Sequence, residues 1–196
     1  MSALRRDLIL EAARRVFETE GLDGASLRAI AAEAGYTPAA LYFHFESKEA
    51  IYAEMLMDSL ARLKAEVDRA VAAATTPPER LQAAALAFFD FYARHPRDLD
   101  LGFYLFRGGM RPKGLGRDRD RELNAALEAS LMPVGEAVAA MGGGVDNARA
   151  AMADLFAHAT GLLLLMHTRR IRMFDVAPRA LMQRQVGRVI AELEGA

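Results

Sequence analysis

Arg28, Tyr42, His44 and Lys48 set a guanidinium, a phenol, an imidazole and an ammonium within 21 residues of one another. All four are hydrogen-bond donors, which is what the oxygens of an anion require. Lys48 is expected in the first turn of a helix. An ammonium there opposes the helix dipole, but it joins free backbone N–H groups in making a phosphate site. Arg28 stands likewise at the start of another helix. No rival chemistry is organised elsewhere. The four histidines are His44, His95, His158 and His167, and no HExxH, GxSxG or phosphate-cradling glycine loop occurs. Asp154 and His158 lie four apart, a spacing that can ligate metal and that more often marks a pair on a helix surface. The absence of cysteine excludes a disulfide framework and cysteine-ligated zinc. These residues assign no catalytic group, no metal and no cofactor, and the chain does not read as an enzyme.

The elements that must position the donors are short and well punctuated. A helix over about residues 3–20 closes at Gly21, with Leu22 as the hydrophobic residue beyond the cap. Ser26 caps a second helix whose core side is Leu27, Ile30, Ala31 and Ala34, and Gly35 ends it. Thr37 caps a third, with Pro38 at the first helical position, where its missing N–H costs nothing. Tyr36 and Leu41 form a hydrophobic staple. Ser47 caps a fourth helix that reaches about residue 74. A helical wheel puts Leu41 and Phe45 in the core, with Ala39, Ala40 and Phe43 opposite and Tyr42 and His44 flanking them.

Two short helices joined by a glycine-containing turn form a DNA-reading device. Pro38, Ala39 and Ala40 let the helix approach base edges and touch a thymine methyl, while Tyr42 and His44 suit phosphate oxygens. An ordinary helical hairpin, with Tyr42 and His44 partly buried and satisfied, fits the same spacing. Residues 1–50 hold six Lys or Arg against eight Asp or Glu, and the whole chain has a formal net charge of −1. DNA affinity would then come from placed charges and helix ends rather than a broad basic field. Arg5 and Arg6 could serve as a minor-groove arm or simply begin a solvated helix.

Residues 8–53 resemble the DNA-binding head of the tetracycline-repressor (TetR) family. The resemblance is carried by Ile9, Ala12-Ala13, Phe17 and Gly21, then Ser26-Leu27-Arg28-Ala29-Ile30-Ala31, Ala34-Gly35, Leu41-Tyr42-Phe43-His44-Phe45 and Ser47-Lys48-Glu49. It implies an all-α protein: a three-helix, helix-turn-helix head joined by a long helix to a helical body that binds ligand and dimerises. It also implies a homodimer on a palindromic operator in double-stranded DNA, touched at Arg28, Thr37, Tyr42, His44 and Lys48. Pro38, Ala39, Ala40 and Phe43 complete the expected contact set. Many relatives carry a Gly or a polar residue where Ala39 and Ala40 stand, so specificity here is expected to lean on methyl contacts and DNA shape.

The boundary falls within the fourth helix, giving a head over 1–50 and a body over 51–196. Thr76-Pro77-Pro78-Glu79 reads as a break and a new helix start. Further helices are expected at about 79–94, 97–106, 118–141, 145–172 and 178–194, with a kink at Pro133 and a glycine-rich, basic, mobile loop over 108–116. Phe88, Phe89, Tyr92, Phe103 and Tyr104 concentrate aromatic rings in neighbouring helices. They fit core packing or a cavity for an apolar or aromatic molecule, with His158, Thr160 and His167 as its polar groups. By resemblance this body holds a small-molecule effector. The last two helices carry long apolar surface, which around Gly161–Met166 exceeds what one core face needs, and by resemblance they form the dimer interface, with Leu155, Leu162, Leu165, Val186, Val189 and Ile190 as candidates. Residues 1–20 are too charged for a signal peptide, and the apolar run Gly161–Met166 is short of the ~20 residues that span a bilayer. A cytoplasmic protein without a membrane partner is expected.

Overall fold

The computed structural model describes residues 3–102 and 114–195, all of it helix, turn or connecting chain with no strand among them. The helices are α1 Ala3–Gly24, α2 Leu27–Glu33, α3 Pro38–Tyr42, α4 Lys48–Ala72, α5 Pro77–Arg94, α6 Pro96–Gly102, α7 Arg117–Ala140, α8 Val145–His167 and α9 Pro178–Glu194. They fall into two compact units, one built on the chain up to Ser59 with Asp100–Asn124, the other on Leu60–Leu99 with Ala125 onward. Helix α4 runs through both. The first unit takes in more than the 1–50 head expected from sequence, because the C-terminal end of α6 and the start of α7 cluster with it.

In the first unit, α1 buries Ile9, Ala12, Ala13, Val16 and Phe17. Leu8, on the same helix, is 52% exposed. Gly21 has φ 70° and ψ 173° within the α1 span, so the helix breaks there and a last turn runs on to Gly24. That backbone conformation is essentially open only to glycine. Tyr52 of α4 is fully buried against Phe17, with ring centroids 5.1 Å apart at 73°, and its hydroxyl donates to the Leu101 carbonyl at 3.1 Å.

The second unit is centred on α5, which buries Leu81, Ala84, Ala85, Phe88, Phe89 and Tyr92 and packs on α8 and α9. Arg62 donates to the buried Asp98 carboxylate at 2.6 Å, and Arg179 makes a bidentate pair with Asp90. Helix α8 stops at His167, five residues before the expected end. The Thr168 hydroxyl and N–H both return to the Leu164 carbonyl, and a short 3-10 turn, Arg170–Phe174, follows. Among the described residues, α8 is the one helix long and apolar enough to cross a membrane by length and composition. Small residues spread through it carry that apolar character beyond the run Gly161–Met166.

Helix α5 starts on a complete capping box. Thr76 Oγ1 accepts from the Glu79 N–H, while Glu79 Oε2 accepts from the Thr75 hydroxyl at 2.7 Å and from the Thr75 and Thr76 N–H groups. The Thr75 hydroxyl first, then the two backbone donors, lower the Glu79 carboxyl from its ordinary 4.5 to about 2. A carboxyl depressed in the folded state contributes stability above its unfolded value and loses it as pH falls through the folded one. Glu79→Gln should therefore lower the melting temperature at neutral pH. The difference from the unsubstituted chain should shrink between pH 4.5 and 2, as read by thermal melts across that range.

Candidate nucleic-acid interface

Three local devices shape the surface around α3. Ser26 Oγ accepts from the Ala29 N–H at 3.1 Å and starts α2. At its other end Gly35 takes φ 72°, and the Tyr36 N–H returns to the Ala31 carbonyl at 2.9 Å. Thr37 Oγ1 accepts from the Ala40 N–H at 3.2 Å with Pro38 following, so α3 starts where its cap dictates. The helix then unwinds through tight bonds from the His44 and Phe45 N–H groups to the Leu41 carbonyl, both 2.9 Å.

Leu41 and Phe45 are buried, as the wheel required, and Thr37, Pro38, Ala39, Tyr42, Phe43 and His44 are exposed, with Ala40 half-buried. Tyr42 is 59% and Phe43 85% exposed. The Phe43 and His44 rings meet edge to face with centroids 5.1 Å apart. An exposed aromatic pair beside a proline and two alanines leaves a shallow, largely apolar strip edged by a hydroxyl and an imidazole. Its chemistry suits apolar contact at base edges and hydrogen bonds to phosphate.

Lys48 has a structural job that its position in the sequence does not show. Its ammonium donates to the Asp23 and Ala25 carbonyls, both at 2.9 Å, tying the start of α4 to the chain between α1 and α2. Two of its three protons are thereby used, leaving one for an outside acceptor. Other head cations are also engaged. Arg15 donates to Glu33 at 2.6 Å, Arg6 pairs with Glu54, and Arg14 lies 3.9 Å from Glu11. Arg28 and Arg5 are exposed and have no ion-pair partner among the described residues. Arg6 is therefore held on α4, which leaves Arg5 for any arm. The carboxylate of Glu46, between α3 and α4, is held by Arg119 at the start of α7, within the same unit. Sequence reading missed that residue, because its partner lies 73 positions away.

The candidate pocket residues are distributed differently. Phe88, Phe89 and Tyr92 are buried. Phe88 stacks edge to face with Tyr92 at 5.1 Å and with Phe156 at 5.9 Å. Burial, with Asp98 adding to it, pushes the Tyr92 phenol well above its ordinary value. His167 Nε2 lies 3.0 Å from the Tyr92 carbonyl, whereas the buried Nε2 of His158 has no hydrogen-bond partner among the described residues. Thr160 is half-buried on the same helix, and Phe103 and Tyr104 lie outside the described residues. Asp154 accepts from Gln185 at 2.8 Å, and among the described residues no group of acidic or histidine side chains is placed to hold a metal.

The dimer candidates divide by exposure. Leu155, Leu162, Val186 and Val189 are buried in this chain's own core, and Leu165 and Ile190 are half-buried. The open faces of the same helices carry Ala153, Ala157, Gly161 and Leu164 on α8 and Ala180, Arg184, Gly187 and Ala191 on α9.

The head is thus a capped helix-turn-helix, and the second unit is all-α among the described residues. Residues 9–55 match the model of bacterial regulatory proteins, tetR family. That match spans 47 of the chain's 196 residues, so it is the head that is similar to this family. It is 38% identical over 88 residues to the transcriptional repressor KstR2 of Mycolicibacterium smegmatis, a match covering 45% of this chain and 43% of that protein. The chain thus matches less than half the length of that curated relative. The whole fold is similar to that of a tetR-family regulatory protein from Rhodococcus RHA1, with a TM-score of 0.69, 20% identity and 98% of each chain covered. It is also similar to FadR from Bacillus subtilis, solved in complex with stearoyl-CoA, with a TM-score of 0.70, 17% identity, and 93% of this chain and 96% of that one covered.

The Lys48 clamp predicts a split between two cations. Lys48→Met should destabilise the head by ~1.5–3 kcal/mol, the range for hydrogen bonds to a charged group. Arg28→Ala, at an exposed and unpaired position, should stay within about 0.5 kcal/mol of the unsubstituted chain. Urea unfolding followed by circular dichroism distinguishes them.

Proposed function

We propose that this chain is a homodimeric, DNA-binding transcriptional regulator of the cytoplasm, a repressor that leaves a palindromic operator when a small apolar or aromatic effector binds its body. The observation that carries the DNA-binding reading is the exposed strip Thr37–His44 held over buried Leu41 and Phe45. Arg28, Tyr42, His44 and the remaining proton of Lys48 would anchor phosphates, while Pro38, Ala39, Ala40 and Phe43 would lie on base edges. The KstR2 likeness supports repression. The open faces of α8 and α9 support dimerisation, and they shift the proposed contact to Ala153, Ala157, Gly161 and Leu164 with Ala180, Gly187 and Ala191. Two-fold symmetry would then present two heads to two half-sites.

The effector reading rests on the aromatic cluster Phe88, Tyr92 and Phe156 and on the unpartnered His158 Nε2, a kind of buried group that calls for a partner. The stearoyl-CoA complex of the fold neighbour FadR supports a long apolar effector. An effector shifts the operator-bound population only by its differential affinity for the two states of the body.

Selection of bound DNA from a random pool by the full chain tests the reading, and a palindrome is the expected product. Affinity for that operator should fall with salt at a log–log slope of about −4, for Arg28 and Lys48 from two subunits. A slope near −10 would overturn this contact set. A·T-to-T·A swaps at half-site positions that face Ala39 and Ala40 should cost little where shape is read and each base is not. A panel of fatty acids, acyl-CoA thioesters and aromatic acids should contain a compound that releases the operator. His158→Leu should weaken release by that compound without weakening operator binding.

A further inference from the structure

Glu46 is an anion set among residues assigned to phosphate. It stands two positions after His44 and two before Lys48, at the corner between α3 and α4, and its side chain is 74% exposed. Two residues of chain span at most ~7 Å, within the Debye length of ~8 Å at physiological salt. Its charge is therefore only partly screened from a phosphate that His44 or Lys48 meets. The neighbouring acid is offset locally: Glu49 lies in the first turn of α4, where the helix dipole favours a carboxylate. Glu46 precedes that helix, and its charge opposes the polyanion that the rest of the corner suits.

Arg119 meets that charge. Its Nη2 donates to Glu46 Oε1, and no other ion pair of this carboxylate occurs among the described residues. The guanidinium is also anchored at its second nitrogen. Nη1 donates to the Leu115 carbonyl at 3.2 Å, and Leu115 is buried. The Leu115 N–H donates in turn to Asp120 Oδ1 at 2.9 Å, and a Cβ built at Gly114 would collide with the same carboxylate. The turn before α7 thus holds the arginine in place, so reaching Glu46 costs it less rotamer freedom than a loose surface arginine would lose. An exposed ion pair contributes little to stability. What this one changes is the field at the corner, which becomes neutral where it would be negative.

We propose that Arg119 sets the affinity of the head for DNA through Glu46: it touches no phosphate, and it acts by cancelling the one carboxylate that stands between His44 and Lys48. The inference rests on the DNA-binding reading above and adds to it a determinant far in sequence from the helix-turn-helix. Helix α7 runs on from the first unit into the second at Ala125, so the residue that sets the charge of the corner lies on a helix shared with the body.

Fluorescence anisotropy of the full chain tests this on two duplexes, the operator recovered by selection and a scrambled duplex of the same length. Arg119→Ala should raise the dissociation constant of both about fivefold at about 0.05 M salt, from one modest charge effect in each of two heads, and the loss should shrink at about 0.2 M. Adding Glu46→Gln should restore both affinities, and Glu46→Gln alone should bind at least as tightly as the unsubstituted chain. If the pair instead holds α3 in position, Glu46→Gln alone weakens operator binding, the double variant stays weak and the scrambled duplex is unaffected; that result overturns the proposal. A loss in Arg119→Ala that Glu46→Gln leaves in place makes Arg119 a phosphate contact itself and also overturns it. Should Arg119→Ala fail to fold, Glu46→Gln alone decides, and weaker binding by it counts against the proposal. Unchanged affinities in every variant of a chain that binds DNA overturn the role of Arg119 and leave the DNA-binding reading standing. A chain that binds neither duplex overturns both.

Discussion

Helix α3 has five residues, far fewer than the ~12–15 at which an isolated helix is even marginal in water. Nothing exposed on it can be positioned by the helix itself. Its geometry is imposed from below and from both ends: the Thr37 cap, the burial of Leu41 and Phe45, and the ammonium of Lys48 on the Asp23 and Ala25 carbonyls. These supports spare the outer face from stabilising the fold. That is why it can hold Pro38, Ala39, Tyr42 and Phe43, residues that earn nothing for folding by being in water.

The head also economises on charge. Arg6, Arg14 and Arg15 are spent on Glu54, Glu11 and Glu33, and Lys48 mostly on backbone. These contacts fix how α1, α2 and α4 meet, so a count of basic residues overstates what is free for a polyanion. Arg28, exposed and without an ion-pair partner among the described residues, joins Tyr42 and His44 as a donor of the head that is left uncommitted. A site so poor in cations must gain discrimination from fit, because long-range attraction is weak and screened at ordinary salt.

The local punctuation of this chain was legible residue by residue. Ser26, Thr37 and Thr76 cap as hydroxyls before a helical run should, and Gly21 and Gly35 take the positive φ that breaks a helix. The wheel placed Leu41 and Phe45 on one buried side correctly, because the Phe45 N–H still bonds the Leu41 carbonyl after α3 has ended and keeps the two residues a helical turn apart. What failed to show was anything set by a distant partner. The Lys48 bonds reach back 23 and 25 residues, and the Glu46–Arg119 pair spans 73. The end of α8 was invisible for another reason. Thr168-Arg169-Arg170 contains no glycine or proline, and Arg169 adopts the left-handed conformation without the residue that would advertise it.

Helix α8 shows why apolar pattern alone could not separate core from partner surface. Its Gly161–Met166 segment is apolar all round, and such a segment is buried on all sides or leaves one side open to a second neighbour. Here one side, Leu155, Ala159, Leu162 and Leu163, is consumed by the core, and the other, Ala153, Ala157, Gly161 and Leu164, lies open. The larger side chains sit on the side that needs volume filled. The smaller ones sit on the open side. A sequence reader who ranks apolar residues by size picks Leu155 and Leu162, which this chain buries itself, and passes over the open strip, whose alanine and glycine permit close approach by a second helix.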